Sequence, residues 1–170
     1  MVMKQALETK FLAVYDTHAD AIFRHCYFRV YDRERAKELM QEAFTKTWEY
    51  LANGKNIDNI RAFVYRTANN LIIDQSRKKK EASVEALDEA GALAPVPSMI
   101  PEAVDASLLL NQLADVEESY REVVYMRYVD DLSPKEIAEI LNEPVNVISV
   151  RIHRGVKKLR ELTNSKFTII

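Results

Sequence analysis

The middle of the chain is the feature that most limits its possible folds. Residues 81–105 read EASVEALDEAGALAPVPSMIPEAVD, with Pro95, Pro97 and Pro101 and no sustained helical period. This composition is typical of a linker, and a structureless loop of that length inside one compact domain is the less common alternative. At 170 residues the chain is long enough for two small cores. The sequence therefore predicts two domains, residues 1–80 and 106–165, joined by a flexible acidic linker.

Charge is distributed unevenly between these three segments. The whole chain has a formal net charge of -2, but residues 81–118 contain 9 Asp or Glu and no Lys or Arg. A basic cluster lies near the end of each half of the chain, at residues 77–80 and 151–160. Because positive charge is concentrated in two places, the chain is compatible with a nucleic-acid partner despite its negative total.

The remaining composition indicates a helix-rich globular protein. Hydrophobic residues make up 48% of the chain and only 3 glycines occur. No apolar run approaches the roughly 20 residues that a membrane span needs, and the first residues lack a signal-peptide core. The one cysteine, Cys26, cannot form an internal disulfide. We therefore predict a cytoplasmic location.

Helical periodicity dominates the N-terminal half, and strand-type alternation is absent. Asp32 is a candidate N-cap for a helix whose apolar residues recur at helical spacing. An earlier helix is predicted to break near His18, and a later one to cover residues 60–80 after the turn-like sequence NGKNIDN. The fold class predicted from these patterns is all-α.

The C-terminal half contains a helix-turn-helix pattern. Ser133-Pro134-Lys135-Glu136 has the form of a capping box with proline at the first helical position. Asn142 tolerates the left-handed conformation found just past many helix ends, and Pro144 suits the first turn of a second helix.

A helical wheel divides this second helix into a buried and an outer face. Ile148, Ile152, Val156 and Leu159 form the buried face, and Gly155 permits close packing. Short side chains followed by cations on the outer face suit the DNA major groove. An ordinary helical hairpin with a solvated basic face is the alternative. The outward and flanking residues are Asn146, Ser149, Val150, Arg151, His153, Arg154, Lys157 and Lys158.

Two segments together resemble bacterial RNA polymerase sigma factors. LADVEESYREVVYMRYVDDLSPKEIAEILNEPVNVISVRIHRGVKKLRE resembles their C-terminal DNA-binding domain, region 4. RERAKELMQEAFTKTWEYL and NIRAFVYRTANNLIIDQSRKKK resemble region 2. The order and spacing resemble the extracytoplasmic-function (ECF) subfamily over about residues 8–163.

The resemblance implies two promoter contacts. The helix with Asn146–Lys158 would recognise the -35 element, although Asn146-Val147-Ile148-Ser149-Val150-Arg151 stands where many members have Gly-Thr-Val-Lys-Ser-Arg. Val150 could pack on a thymine methyl group, so the promoter sequence is expected to differ from that of other members. Region 2 would hold the melted -10 strand, with Phe63 and Tyr65 as either stacking or core residues. The implied -10 residues are Lys55, Asn56, Arg61, Phe63, Tyr65, Arg66, Asn70 and Arg77.

The resemblance also implies protein partners. The helix after Asp32 would dock on the clamp helices of core RNA polymerase, and region 4 on its flap, while the linker would run toward the RNA channel. An anti-sigma factor is a further implied partner. The core-binding residues are Glu38, Leu39, Met40, Gln41, Glu42 and Phe44, of which Leu39, Met40 and Phe44 also fit a pure core role.

Three other classes of function compete with this interpretation. A helix-turn-helix repressor or activator leaves the second basic domain unexplained, whereas a sigma-like module without initiation activity fits both domains. An enzyme would need a catalytic constellation, which the sequence lacks. His18, His25 and Cys26 are too few for a zinc site and fit helix packing better. We therefore predict an ECF sigma factor with no enzymatic activity, cofactor or metal.

Overall fold

The computed structural model describes residues 2–84, 113 and 115–167, with side chains for residues 5–78, 113 and 115–164. The chain divides into two compact units, Met1–Ala94 and Pro95–Ile170. All regular secondary structure within the described residues is helical. This confirms the predicted all-α class with two small helical domains.

Between residues 2 and 84 the N-terminal unit contains three helices, each packed against the other two: α1 (Val2–Val30), α2 (Arg33–Ala52) and α3 (Ile60–Val84). The Asp32 carboxylate accepts a hydrogen bond from the Arg35 N–H at 3.0 Å, which confirms Asp32 as the N-cap of α2. At the start of α3 the Asn59 side chain accepts from the Ala62 N–H at 3.0 Å. Both helix starts are therefore fixed by short polar side chains that satisfy first-turn N–H groups.

Two predicted boundaries in this unit are wrong. Helix α1 continues through His18, because no proline or glycine interrupts it. Helix α3 runs four residues past Lys80, since Glu81 and Ala82 are good helix formers and the next proline is Pro95. The rest of the predicted linker, residues 85–105, lies outside the described residues, and the predicted domain boundaries stay a prediction.

The C-terminal unit contains the predicted helix-turn-helix, preceded by a further helix. Over residues 115–167 its helices are α4 (Glu118–Tyr128), α5 (Pro134–Leu141) and α6 (Val145–Phe167). The Ser133 side chain accepts from the Glu136 N–H at 3.2 Å and the Glu136 carboxylate accepts from the Ser133 N–H at 2.9 Å, so the capping box is present.

The turn between α5 and α6 follows the sequence pattern closely. Asn142 is left-handed, with φ 53 and ψ 46. Pro144 lies one residue before α6 instead of in its first turn, and its carbonyl accepts from the N–H groups of Val147 and Ile148 at 3.0 and 3.2 Å. The turn thus ends one helix and starts the next within three residues, 142–144.

Close approach of α4 and α6 sets the orientation of α6 within its unit. Gly155 is buried, and a Cβ atom there would lie 2.6 Å from Cγ2 of Val124 and 3.2 Å from the carbonyl oxygen of Tyr120. Ile148 and Ile152 are buried on the same side of α6. The predicted inner face is therefore confirmed for Ile148 and Ile152, whereas Val156 and Leu159 are only half-buried. The opposite face of α6 is directed to solvent.

Candidate nucleic-acid interface

The outer face of α6 changes along the helix from uncharged side chains to cations. Val150 is exposed in its N-terminal half, and the cations follow toward the C-terminus. Such an order suits a helix that enters the major groove by its N-terminal end while its cations face phosphates. The exposed members of the predicted set are Asn146, Ser149, Val150, His153, Arg154, Lys157 and Lys158.

Arg151 differs from these residues because it is held within the domain. Its guanidinium donates two hydrogen bonds to the two carboxylate oxygens of Glu143, one of them at 3.1 Å. The side chains are only 20% and 31% exposed. A bidentate pair of this kind fixes the guanidinium in one orientation, on the turn of the helix-turn-helix.

Lys158 and Ser149 also have partners inside the unit. The Lys158 ammonium lies 3.6 Å from a Glu117 carboxylate oxygen and 4.4 Å from the centroid of the Tyr120 ring. The Ser149 hydroxyl donates to the Val145 carbonyl at 2.9 Å. Three residues of the predicted set therefore have intramolecular partners, and of these Ser149 and Lys158 remain exposed while Arg151 does not.

Aromatic rings and cations meet on the N-terminal unit where α2 ends and α3 begins. The rings of Tyr50 and Phe63 lie 4.9 Å apart. The Lys55 ammonium is 4.7 Å from the Tyr50 ring centroid, and the Arg66 guanidinium is 5.1 Å from that of Phe63. We call Tyr50, Lys55, Phe63 and Arg66 the aromatic–cation surface. Aromatic planes beside cations are the means by which proteins hold unpaired nucleic-acid strands.

Tyr50 was not among the residues predicted from the sequence. It belongs to the last turn of α2, and only the return of the chain into α3 brings it to Phe63. Its place directly before a loop containing Lys55 and Asn56 is the one sequence feature that points to it.

Tyr65 was predicted as a -10 contact, and its burial corrects that assignment. The side chain is 0% exposed and its ring packs edge to face on His25, with centroids 5.2 Å apart. It faces inward because residue 65 shares the buried stripe of α3 with Ala68 and Ile72. Tyr65 is a core residue.

The two adjacent asparagines of α3 have opposite environments. Asn69 is 3% exposed and its Oδ1 accepts from the Arg29 guanidinium at 3.0 Å. Asn70 is exposed, on the same face as Arg66 and Arg77. Ile73, one turn further and 54% exposed, adds an apolar side chain to this face that the sequence analysis did not single out.

The other predicted -10 residues lie at the edges of this region. Asn56 is exposed and its side-chain amide donates to Asp58 at 3.4 Å. Arg61 is half-buried at the start of α3. Arg77 is exposed, with its guanidinium 3.7 Å from Asp74. All of them belong to α3 or to the loop before it.

The predicted polymerase-binding set on α2 is divided by burial. Leu39, Met40 and Phe44 are 1%, 8% and 3% exposed, so they are core residues of this unit, which is the alternative role that the sequence allowed for them. Their positions face α1 and α3, as the helical period requires. The residues of the set that remain exposed are Glu38, Gln41 and Glu42.

Two ion pairs hold the charged residues of this outer face of α2. Arg35 lies 2.6 Å from Glu38, and Lys46 lies 3.6 Å from Glu42. Such exposed pairs between neighbouring turns are weak, on the order of 0.3–0.5 kcal/mol, so a partner can exchange them at little cost. Gln41 lies between them.

The described residues contain no group of three or more His, Cys, Asp or Glu side chains placed to hold a metal ion. None of their helices is long and apolar enough to cross a membrane.

Comparison with known proteins matches both units to one family. The model of Sigma-70 region 2 matches residues 14–82, and the model of Sigma-70 region 4 matches residues 107–159. The fold is similar to that of the sigma factor RpoE in its complex with the anti-sigma factor NepR from Bartonella quintana. That likeness has a TM-score of 0.72 at 18% identity and covers 91% of this chain and 97% of RpoE.

Curated relatives are similar over nearly the whole chain. SigL of Mycobacterium tuberculosis, an ECF RNA polymerase sigma factor, is 27% identical over 151 residues, which are 87% of this chain and 85% of SigL. SigW of Bacillus subtilis, another ECF RNA polymerase sigma factor, is 30% identical over 171 residues and covers 94% of this chain and 91% of its own length. The chain belongs to the ECF RNA polymerase sigma factors, a family of transcription initiation factors.

Proposed function

We propose that this chain binds core RNA polymerase and directs initiation at promoters whose -35 duplex and melted -10 strand it recognises. The observation that carries the proposal is the aromatic–cation surface beside the exposed Asn70. The Tyr50 and Phe63 rings are half-buried, so part of each ring stays accessible beside the cations. A protein that holds an unpaired strand needs accessible rings and cations together, whereas one that reads only duplex DNA does not. This distinguishes a sigma factor from a helix-turn-helix repressor or activator.

The two units divide promoter recognition between them. In the N-terminal unit, Tyr50 and Phe63 stack on unpaired bases, Lys55 and Arg66 neutralise the backbone, and Asn70 reads one base edge. In the C-terminal unit, α6 enters the major groove of the -35 element, with Arg154 and Lys157 toward phosphates. Asn56, Arg61 and Arg77 extend the backbone contacts of the N-terminal unit.

Core polymerase contacts the face of α2 opposite its buried stripe. Glu38, Gln41 and Glu42 are exposed there and offer carboxylate and amide groups to the clamp helices of the polymerase. The C-terminal unit docks on the flap, and the acidic linker runs toward the basic RNA channel. An anti-sigma factor is a further partner, as RpoE of Bartonella quintana has in its complex with NepR.

The test is transcription in vitro with core polymerase and the full chain on a promoter library. We expect initiation from a defined subset of promoters, with permanganate-reactive thymines marking a melted -10 region. Tyr50→Ala and Phe63→Ala should lower open-complex formation about tenfold or more, on the basis of about 1–3 kcal/mol for each base–aromatic stack. Tyr128→Ala, which removes an exposed ring from the C-terminal unit, is the matched control.

Other results would favour the competing functions. Tight binding to one duplex sequence without polymerase would indicate a repressor or activator. Binding to polymerase without any transcript would indicate a sigma-like module that lacks initiation activity.

A further inference from the structure

We infer that α6 reads its -35 element chiefly through thymine methyl groups, with Val147 and Val150 as the contacting side chains and Arg151 excluded from base contact. The inference rests on the proposed function and specifies which groups on the DNA it uses. It concerns the N-terminal half of α6, where a recognition helix reaches the base edges.

Val147 and Val150 are exposed on one face of α6. Their side chains are 38% and 50% exposed, and a spacing of three residues puts them on adjacent turns of the same face. Val150 lies on the opposite side of the helix from Ile148 and Ile152, which are buried. Burying these two side chains against another apolar group is favourable, because their methyl groups then leave water.

Ser149, between the two valines, and Arg151, directly after them, have their donors engaged within the unit. The Ser149 hydroxyl donates to the Val145 carbonyl, and the Arg151 guanidinium is bidentate to Glu143. Reading of guanine by arginine needs that same bidentate fork directed at O6 and N7. Over residues 147–151, α6 therefore presents methyl groups to the groove.

One apolar group on the base edges of the major groove matches this surface. Thymine carries a C5-methyl group there, and the other three bases present hydrogen-bond donors and acceptors. Arg154 follows Val150 by one turn on the same face, with Lys157 one turn further, so phosphate contacts there would direct the valines at the bases. The combination of apolar contact and flanking positive charge is complementary to a thymine-containing duplex.

Replacing each thymine by uracil tests the proposed methyl contacts one position at a time. Core polymerase and the full chain would first select a promoter from a library randomised at the -35 element. Each -35 thymine would then be replaced by deoxyuridine, which removes only the methyl group, and holoenzyme affinity measured by competition at fixed salt. We expect affinity to fall about fourfold at one or two positions, the value for one lost methyl contact.

Protein variants assign each position to a side chain. Val150→Ala should weaken binding to the thymine promoter and abolish the thymine–uracil difference at one position, and Val147→Ala should do so at the other. Val129→Ala removes a comparably exposed valine that follows α4 and should leave the difference unchanged.

The outcomes separate the inference from the proposed function. Equal affinity for thymine and uracil at every -35 position, with initiation intact, would overturn the inference alone. A thymine–uracil difference that persists at full size in both alanine variants would also overturn it. Failure of the holoenzyme to select any promoter would overturn the proposed function first, and the inference with it.

Discussion

Asn69 and Asn70 are chemically identical neighbours, and the structure gives them different environments. Asn69→Ala removes the acceptor that binds Arg29 at 3.0 Å in a buried setting, so we expect a loss of about 1–2 kcal/mol in the free energy of unfolding. Asn70→Ala should change stability by less than about 0.5 kcal/mol, because the side chain is exposed. It should instead change the preferred base at one -10 position. Chemical denaturation and transcription from a promoter library randomised at the -10 element measure the two effects.

Each asparagine variant serves as the control for the other. Superimposable base preferences of wild type and Asn70→Ala would remove Asn70 from the promoter contacts. A marked loss of stability in the same variant would assign it a structural role.

At Gly155, the addition of a single Cβ atom is expected to change the stability of the fold. Alanine would favour the helix by about 1 kcal/mol, but its Cβ would lie 2.6 Å from Cγ2 of Val124, a side chain that is stiff in a helix. We expect overpacking to dominate and Gly155→Ala to lower the free energy of unfolding by about 1–2 kcal/mol. The measurement is thermal or urea unfolding of the full chain. Adding Val124→Ala removes the clashing methyl group, so the double variant should lose less than the two single variants combined; strict additivity would contradict the mechanism.

At the scale of elements, the proposed DNA contacts of α6 are of two kinds, to phosphates and to bases, and one variant can separate them. Arg154→Ala should weaken binding to every -35 sequence by a similar factor, about 1 kcal/mol or more, and reduce the salt dependence by about one unit of slope. The variant should fold normally, because Arg154 is exposed and the buried Ile152 is unchanged. Holoenzyme affinity for a set of -35 variants, measured at several salt concentrations, checks this.

The same experiment distinguishes a phosphate contact from a base contact. A loss confined to particular -35 sequences would show that Arg154 reads a base. Val150→Ala is the comparison, since its effect should depend on the presence of thymine.

Local features of the elements were predictable, and contacts between elements were not. Asp32, the Ser133 capping box and the left-handed Asn142 follow from chemistry within a few residues, and the structure confirms each of them. The contact of Tyr50 with Phe63 joins two helices across a loop, and the pair of Arg151 with Glu143 spans eight residues. Periodicity marks which face a side chain occupies, but it does not specify what lies opposite.

The sequence also failed to show that four of the predicted contact residues are buried, because burial depends on what packs against a helix. Leu39, Met40, Phe44 and Tyr65 entered the candidate set by resemblance to motif positions, and the structure places all four in the core. A motif marks a stretch of helix, whereas only packing shows which of its faces is accessible. The break near His18 was a different error, since a polar residue alone does not interrupt a helix.

For the whole molecule, we expect the free chain to bind duplex promoter DNA weakly. Its basic groups lie on two separate units, and residues 81–118 carry 9 acidic residues that oppose binding to phosphates. The predicted dissociation constant at physiological salt is about 10⁻⁶ M or weaker, with a slope of about -3 in log K against log salt for roughly three phosphate contacts by α6. Fluorescence anisotropy of a labelled promoter duplex measures both quantities. Nanomolar, sequence-specific binding by the free chain would contradict the prediction.

Because each unit has its own buried core, the two units are expected to fold one after the other during synthesis. Small helical domains fold in microseconds to milliseconds, whereas synthesis proceeds at about 5–20 residues per second. Residues 95–170 therefore take on the order of 4–15 s to be made after the N-terminal unit is complete. The N-terminal unit is expected to fold on the ribosome seconds before the C-terminal unit has been synthesised.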